Sequence, residues 1–144
     1  MTELVFRDDA YARFCPARVV AVDEHGIRLD RTVFYPTGGG QPGDTGLLRL
    51  ADGTTLAIAD TIKGEAGDEI VHVPAAGSDL PGPGAEVAAE IDWERRHRLM
   101  RMHTCLHLLC AVVPGSVTGA PVCVRHLVQD RPSHPLRSCH PAPR

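Results

Sequence analysis

Two histidines, His103 and His107, stand four residues apart in a segment whose spacing of apolar residues predicts a helix. Side chains at i and i+4 project from the same face of a helix, with Cβ atoms roughly 5–6 Å apart. Two imidazoles in this arrangement can bind one metal ion, most often zinc, which then needs at least one further protein ligand. The spacing alone leaves open the alternative that both are ordinary surface or core residues.

The neighbours of this pair do not complete a metal site. A metalloprotease pattern of the form His-Glu-x-x-His is excluded because Thr104 occupies the position of the general-base glutamate. Cys110 lies one turn beyond His107 and offers a sulfur ligand. Three ligands from two turns of one helix rarely close around a single ion, however, and we expect Cys110 to be a small buried residue.

A glycine-rich segment precedes the histidines by some sixty residues. Residues 34–46 read Phe-Tyr-Pro-Thr-Gly-Gly-Gly-Gln-Pro-Gly-Asp-Thr-Gly. Gly38, Gly39 and Gly40 permit positive φ and a close approach of backbone to a ligand, and the Gln41 amide both donates and accepts hydrogen bonds. The segment matches neither a phosphate-binding loop nor a dinucleotide-binding turn. By itself it is also consistent with a tight structural loop.

Short strands separated by turns are predicted between about residue 4 and residue 92. The Asp52-Gly53 pair predicts a hairpin turn between two of them. This spacing favours a small antiparallel barrel or sandwich, with strands over Arg18–Val22, Gly26–Leu29, Leu47–Leu50, Thr54–Ile58, Glu69–Val73 and Ala85–Ile91.

The hydrophobic period changes to that of a helix at Asp92. This residue is a suitable N-cap, and Glu94 in the first turn complements the positive end of the helix dipole. Pro114 should end the helix after about twenty residues. Apolar residues recur at roughly helical spacing at Trp93, Leu99, Met100, Leu106, Leu109 and Val113.

The overall composition is that of a globular protein with an uneven charge distribution. Of 15 basic and 18 acidic residues, eight arginines but only one acid (Asp130) follow Glu94. This asymmetry indicates either a polyanionic partner or a solvated basic surface. We find no signal peptide pattern and no apolar run long enough to span a membrane, which predicts a cytoplasmic protein without membrane association. Its five cysteines are then expected to be mostly reduced.

The glycine-rich segment and the motif Arg-x-x-His-Thr-x-x-His-Leu-Leu, taken together, resemble the editing family of alanyl-tRNA synthetases, and in particular its freestanding editing proteins. The resemblance covers about three quarters of the chain, from Arg7 to Val113. It implies an α+β protein, in which an antiparallel β-barrel-like domain over residues 1–91 is followed by a zinc-dependent editing domain that begins at residue 92.

The resemblance also implies an activity, which is hydrolysis of serine or glycine wrongly attached to alanine-specific tRNA. His103 and His107 then correspond to two ligands of one Zn²⁺ ion. Gly38–Gln41 correspond to the loop beside the substrate. Zinc can polarise the ester carbonyl, activate the attacking water or orient the substrate amino group.

The basic start of the predicted helix would lie next to this metal. Its guanidinium groups could hold backbone phosphates of the tRNA(Ala) acceptor end, mainly as a sequence-independent electrostatic contact. An ordinary solvated surface remains the alternative for each arginine. The candidates are Arg95, Arg96, Arg98 and Arg101.

The family pattern does not continue after Val113. In the family, a Cys-x-x-x-His motif follows much later in the editing domain. Neither Cys123 with His126 nor Cys139 with His140 has that spacing. We therefore expect an incomplete editing domain over residues 92–122 and a disordered tail over 123–144. A truncation or change of reading frame near residues 114–120 is the accompanying hypothesis. The alternative function is a non-catalytic remnant or tRNA-binding module without a complete metal site.

Overall fold

Strands in which every second side chain is buried build the core of the structure. In the long strand β2 (Phe14–Asp23), Cys15, Ala17 and Val19 are buried and alternate with exposed neighbours. This period of two is what a sheet with one face on a core requires. The buried residues of neighbouring strands meet in one cluster that contains Ile27, Phe34 and further aliphatic side chains.

The computed structural model describes residues 2–65 and 69–112. In chain order the elements are β1 (Glu3–Leu4), α1 (Val5–Asp8), β2 (Phe14–Asp23), β3 (Gly26–Leu29), β4 (Arg31–Thr32), β5 (Gly46–Leu50), β6 (Thr55–Lys63), β7 (Ile70–Pro74), β8 (Glu86–Ile91) and α2 (Trp93–Val112). The predicted six strands and long helix are all present, although β2 and β6 are longer than the sequence indicated.

Six of these strands form a closed barrel in the order β2-β3-β7-β6-β5-β8, and every pairing in it is antiparallel. Of the two predicted architectures, a barrel and a sandwich, the structure is therefore a barrel. Irregularities in register between Val19 and Ala21, and between Ile58 and Asp60, bend the two longest strands. Such bulges supply the local curvature that closure of a small sheet needs.

Three short elements, β1, α1 and β4, escaped prediction. Strand β1 pairs in parallel with β4, where Leu4 lies opposite Thr32, and together they form a separate two-stranded sheet beside the barrel. The four-residue helix α1 follows β1 directly. Elements of two to four residues contain too few positions for a periodic pattern, which is why the sequence shows no sign of them.

His72 is buried in the barrel core and is held by two hydrogen bonds. Its Nδ1 lies 2.9 Å from the carbonyl oxygen of Ile27, and its Nε2 lies 2.8 Å from the Thr32 hydroxyl. The carbonyl only accepts, so Nδ1 of His72 must carry the proton and Nε2 must accept one from Thr32. Complete burial lowers the pKa of His72 to about 4, and the ring is therefore neutral at pH 7.

The helix α2 is attached to the barrel at its first turn. Asp92 caps it as predicted, because its carboxylate accepts the backbone N–H of Arg95 at 3.0 Å. Its own N–H donates to the carbonyl of Thr45 at 2.8 Å. The partly buried Trp93 packs against the barrel core.

The apolar period predicted the existence of α2 but not its buried face. Leu106 is buried, whereas Leu108 and Val112 are 61 % and 76 % exposed, and Leu109 is also exposed. The side turned towards the barrel carries Arg96 and the two histidines instead.

Within residues 2–65 and 69–112, no helix is both long and apolar enough to cross a membrane. Residues 113–144 lie outside the described residues. They include the end of the predicted helix at Val113, the rest of the predicted editing segment to residue 122 and the predicted tail.

Candidate functional site

The base of the glycine-rich loop is closed by the two ends of the segment that resembles the editing family. The N–H of Tyr35 donates to the Asp44 carboxylate, and the N–H of Asp44 donates to the Tyr35 carbonyl, at 2.8 and 2.9 Å. The Thr37 hydroxyl accepts the N–H of Gly43 at 2.8 Å. These contacts lie entirely within residues 35–44, so the loop shape is encoded locally.

The tip of the loop is a tight turn that glycine alone accommodates easily. Gly38 and Gln41 exchange two backbone hydrogen bonds of 3.0 Å. Between them, Gly39 and Gly40 have φ of +60° and +82°. Positive φ at both central positions is the pattern of a type I′ turn, where a side chain would be strained. The turn leaves both central glycines exposed to solvent.

The second half of the segment packs against the barrel without room for side chains. A Cβ atom on Gly43 would lie 2.1 Å from the Thr61 carbonyl oxygen, and one on Gly46 would lie 2.1 Å from the Glu90 carbonyl oxygen. These glycines are needed because backbone approaches backbone. The glycines of this segment therefore meet two separate requirements, an exposed turn and a base packed against the barrel.

A buried ion pair joins this base to α2. Nε and Nη2 of Arg96 both lie 2.9 Å from the Asp44 carboxylate, and Nη2 also donates to the Val33 carbonyl at 3.1 Å. The two residues are only 3 % and 1 % exposed. Burial raises the pKa of the Asp44 carboxyl, and the charge of Arg96 and the N–H of Tyr35 oppose that rise. Burial likewise lowers the pKa of the Arg96 guanidinium, opposed by Asp44.

The histidine pair lies two to three turns further along α2. The Nε2 atoms of His103 and His107 are 2.9 Å apart, and the rings meet edge to face with centroids 4.5 Å apart. Two nitrogens bound to one tetrahedral zinc at roughly 2.0–2.1 Å would be roughly 3.3 Å apart. The two ring nitrogens, which are within hydrogen-bond distance of each other, are therefore close enough to bind one ion, and the pair fits half of a zinc site.

No third ligand is found among the side chains that the structure describes, which do not include those of residues 110 and 111. No group of three His, Cys, Asp or Glu side chains in this part of the chain is arranged to hold a metal ion. Cys105 is exposed. The side chain of Cys110 is not among those described, so its predicted burial stays a prediction.

A cavity of about 580 Å³ lies between the barrel and α2 and contains residues of both predicted motifs. His103 and His107 line one side, and Gly39 and Gln41 of the turn line another. Gly38 and Gly40 are not among the lining residues. The remaining wall is formed by Leu4, Phe6, Arg7, Ala10, Tyr35, Pro36, Lys63, Ile70, Arg96 and Met100.

The four arginines of α2 have three different environments. Arg96 is buried against Asp44 and cannot reach a phosphate outside the protein without breaking that ion pair. Arg95 is partly buried and donates to the Gly43 carbonyl at 2.7 Å. Arg98 and Arg101 are exposed. The ion pair engages Arg96 in holding the glycine-rich loop against the helix, and its predicted contact with tRNA stays a prediction.

A second depression, of about 550 Å³, lies elsewhere on the barrel surface. Its walls include Arg18, Arg49 and Glu86, and two of its ion pairs, Arg18–Glu86 and Arg49–Glu90, are substantially exposed. It contains none of the predicted site residues. The cavity that holds the histidines is therefore the stronger candidate for a functional site.

The comparison with known proteins agrees with this geometry. The family model described as tRNA synthetases class II (A) matches residues 10–95, more than half of the chain. The chain belongs to this family. The match includes the six barrel strands, the glycine-rich loop and the start of α2.

Within the tRNA synthetases class II (A) family, the chain is similar to ligases and to editing proteins. It is 47 % identical over 110 residues to an alanine–tRNA ligase of Aeropyrum pernix, which covers 76 % of this chain and 12 % of the ligase. It is 41 % identical over 117 residues to the alanyl-tRNA editing protein AlaX-L of Pyrococcus horikoshii, covering 78 % of this chain and 28 % of that protein.

A shorter editing protein is matched over a larger share of its length. The alanyl-tRNA editing protein AlaX-M of Saccharolobus solfataricus is 38 % identical over 112 residues, which is 78 % of this chain and 47 % of that protein. The chain thus spans between about an eighth and about half of the length of these relatives. The predicted resemblance to alanyl-tRNA synthetases and their editing proteins is confirmed.

Among the cavity residues that were not predicted as site residues, three carry polar groups, namely Tyr35, Arg7 and Lys63. Tyr35 lay inside the segment that was singled out, and its ring packs edge to face on Phe6 with centroids 5.4 Å apart. Arg7 and Lys63 carried no signal, because each is a single charged residue within α1 or at the end of β6. Only the closure of the barrel brings them next to the histidines.

Proposed function

We propose that this chain contributes to alanyl-tRNA editing by zinc-dependent hydrolysis of Ser-tRNA(Ala) or Gly-tRNA(Ala). The observation that carries the proposal is the shared cavity, in which the histidine pair and the glycine-rich turn face the same space. The names of the relatives AlaX-L and AlaX-M support an editing function. We assign α2 to the beginning of an editing domain.

The residues of the cavity suit an aminoacyl ester attached to a nucleotide. His103 and His107 would hold the zinc, which when bound supplies Lewis-acid chemistry to the ester carbonyl or to a water molecule. Gly39 leaves space for a ligand to approach the backbone of the turn. The amide of Gln41, at the edge of the same turn, can donate to and accept from the polar groups of an aminoacyl moiety.

The exposed arginines of α2 are the proposed contacts to the rest of the acceptor end. Arg98 and Arg101 can pair with backbone phosphates, an interaction that would be independent of sequence and would weaken with salt. Arg95 is available only in part, because its guanidinium already donates to a backbone carbonyl. We leave Arg96 out of this set because of its burial.

A second candidate function is a tRNA-binding module without its own complete metal site. The observation in its favour is the lack of a third metal ligand in the part of the chain that the structure describes. Such a module would bind tRNA through the same cavity and arginines. It would release no amino acid.

Both candidates are tested with the purified 144-residue chain. Its zinc content is measured after dialysis, and release of serine from Ser-tRNA(Ala) is followed beside the His103→Ala/His107→Ala double variant, with Ala-tRNA(Ala) as the control substrate. Near-stoichiometric zinc together with serine release that the double variant lacks supports the enzyme. Absence of zinc and of turnover, with tRNA still bound, would contradict it in favour of the binding module.

A further inference from the structure

We propose that Lys63 is a phosphate-binding residue of the cavity and contacts a backbone phosphate of the tRNA acceptor end. This inference rests on the proposed function, because it assumes that an aminoacylated or free tRNA end enters the same cavity. It adds a cation on the barrel side of the cavity, whereas the arginines already proposed lie on α2.

Among the residues that the structure describes, the lining of the cavity contains no aspartate and no glutamate. This is unusual for this chain, in which 17 of the 18 acidic residues precede Arg95 and therefore belong to the part that builds the barrel. The lining includes instead three basic residues, Arg7, Lys63 and Arg96, and the two imidazoles. A cleft lined by one sign of charge focuses the potential and attracts ligands of the opposite sign.

The charges of the basic residues are not equally available. Asp44 neutralises Arg96 in the buried ion pair. The ammonium group of Lys63, by contrast, forms no hydrogen bond or ion pair with any residue of 2–65 or 69–112. The backbone of Lys63 is fixed, because Lys63 is the last residue of β6 and pairs with Ile70 of β7.

The Lys63 side chain is exposed, and its end lies beside the glycine-rich loop. A Cβ atom on Gly38 would lie 3.5 Å from both Cε and Nζ of Lys63, so this end of the side chain lies directly over the loop. Because residue 38 has no side chain, no group projects from that position over the ammonium. A compact ammonium with three donors can bind phosphate oxygens from several directions.

Phosphate is the anion that fits this position. In an aminoacyl ester the carboxyl group of the amino acid is esterified and carries no charge, and its amino group would be repelled by Lys63. The remaining anions of a tRNA end are its phosphodiesters. A cation beside the turn and the histidines would therefore fix the terminal nucleotides while the ester occupies the rest of the cavity.

The test compares the affinity of the 144-residue chain for deacylated tRNA(Ala) across a series of salt concentrations. Lys63→Gln removes the charge at nearly constant length, and Lys63→Arg keeps the charge. Arg18→Gln is the matched control, since it removes one exposed cation from the other depression. Circular dichroism shows whether each variant is folded.

Lys63→Gln should bind tRNA about tenfold more weakly at low salt, as expected for loss of a charge-assisted hydrogen bond. The slope of log affinity against log salt should fall by roughly 0.7–0.9, the value of one phosphate contact. Lys63→Arg should stay close to the parent. Affinity and slope equal to those of Arg18→Gln would overturn the inference.

Failure of the inference is distinguishable from failure of the proposed function. If the parent chain binds tRNA with the Lys63-dependent slope but releases no serine, hydrolysis fails and the phosphate contact stands. If the parent releases serine and Lys63→Gln has the same KM, the function stands and the phosphate contact is refuted.

Discussion

Arg96 and Asp44 form a buried ion pair, in which two guanidinium nitrogens lie 2.9 Å from the carboxylate, and this pair connects the glycine-rich loop to the helix that carries the histidines. Asp44 also accepts the N–H of Tyr35 at the base of the loop. The two motifs are some sixty residues apart in the chain. The ion pair, together with the hydrogen bond from Arg95 to the Gly43 carbonyl, therefore connects them in space.

Breaking this ion pair should destabilise the protein strongly. Arg96→Met leaves the Asp44 carboxylate buried and unpaired, which we expect to lower the free energy of unfolding by about 3–5 kcal/mol. Urea unfolding followed by circular dichroism measures the change. Arg98→Met, an exposed substitution two residues along the helix, is the control and should change stability by less than about 0.5 kcal/mol.

A second variant separates the charge effect from a packing effect. Asp44→Asn combined with Arg96→Met removes both charges and should be more stable than Arg96→Met alone. If the double variant is instead less stable than the parent by the sum of the losses measured for Asp44→Asn and for Arg96→Met alone, the pair is not energetically coupled.

The buried histidine predicts a loss of stability in mild acid. Burial lowers the pKa of His72 to about 4 from the usual 6.5, so the unfolded chain takes up a proton between these values and the folded chain does not. The stabilising contribution is complete above pH 6.5, decreases as the pH falls from 6.5 to 4, and changes no further below 4. The total loss should be about 3 kcal/mol.

Urea unfolding of the parent and of His72→Gln across pH 4–7 measures this contribution. The parent should show a steeper dependence than His72→Gln, by up to about 1.4 kcal/mol per pH unit. His25→Gln, which removes an exposed histidine from the turn after β2, should keep the steep dependence of the parent. Equal slopes for the parent and His72→Gln would contradict the assignment of a neutral buried ring.

The packed base of the glycine-rich segment predicts intolerance of one methyl group. In Gly43→Ala the new Cβ would meet the Thr61 carbonyl oxygen at 2.1 Å and Oδ1 of Asp60 at 2.4 Å, so the loop has to move. We expect a loss of about 1–3 kcal/mol in stability. Thermal unfolding compared with Gly82→Ala, where nothing lies within 4 Å, checks it, and equal melting temperatures would refute it.

The convergence of two imidazole nitrogens predicts that both histidines are required for zinc binding. Loss of a hydrogen-bond partner behind a metal ligand typically weakens binding 10–100-fold. Loss of a ligand itself, in His103→Ala or His107→Ala, should therefore weaken zinc binding more than about a hundredfold. Competition titration with a chromogenic chelator measures the affinity.

The control for the zinc titration lies on the same helix. His97 stacks on Trp93 with ring centroids 5.4 Å apart and does not line the cavity. His97→Ala should leave zinc affinity unchanged. An equal loss in all three variants would show that disturbance of the helix, rather than removal of a ligand, causes the effect.

The local patterns of the sequence were sufficient for most of the fold. Alternation of buried and exposed residues in β2, β6 and β8, the hairpin turn at Gly53 and the cap at Asp92 depend on neighbours within a few residues. A period or a turn preference is readable without knowing what packs against it. The glycine-rich segment and the spacing of the histidines were recognisable for the same reason.

Only the tertiary structure decided which face of α2 meets the barrel and what each charged residue does there. The sequence presents Arg95, Arg96, Arg98 and Arg101 as equivalent cations, yet barrel closure places Asp44 beside Arg96 alone and buries the pair. It also brings Lys63, forty residues before His103, into the same cavity. Burial and charge pairing depend on residues distant in the chain, and a local pattern contains no record of them.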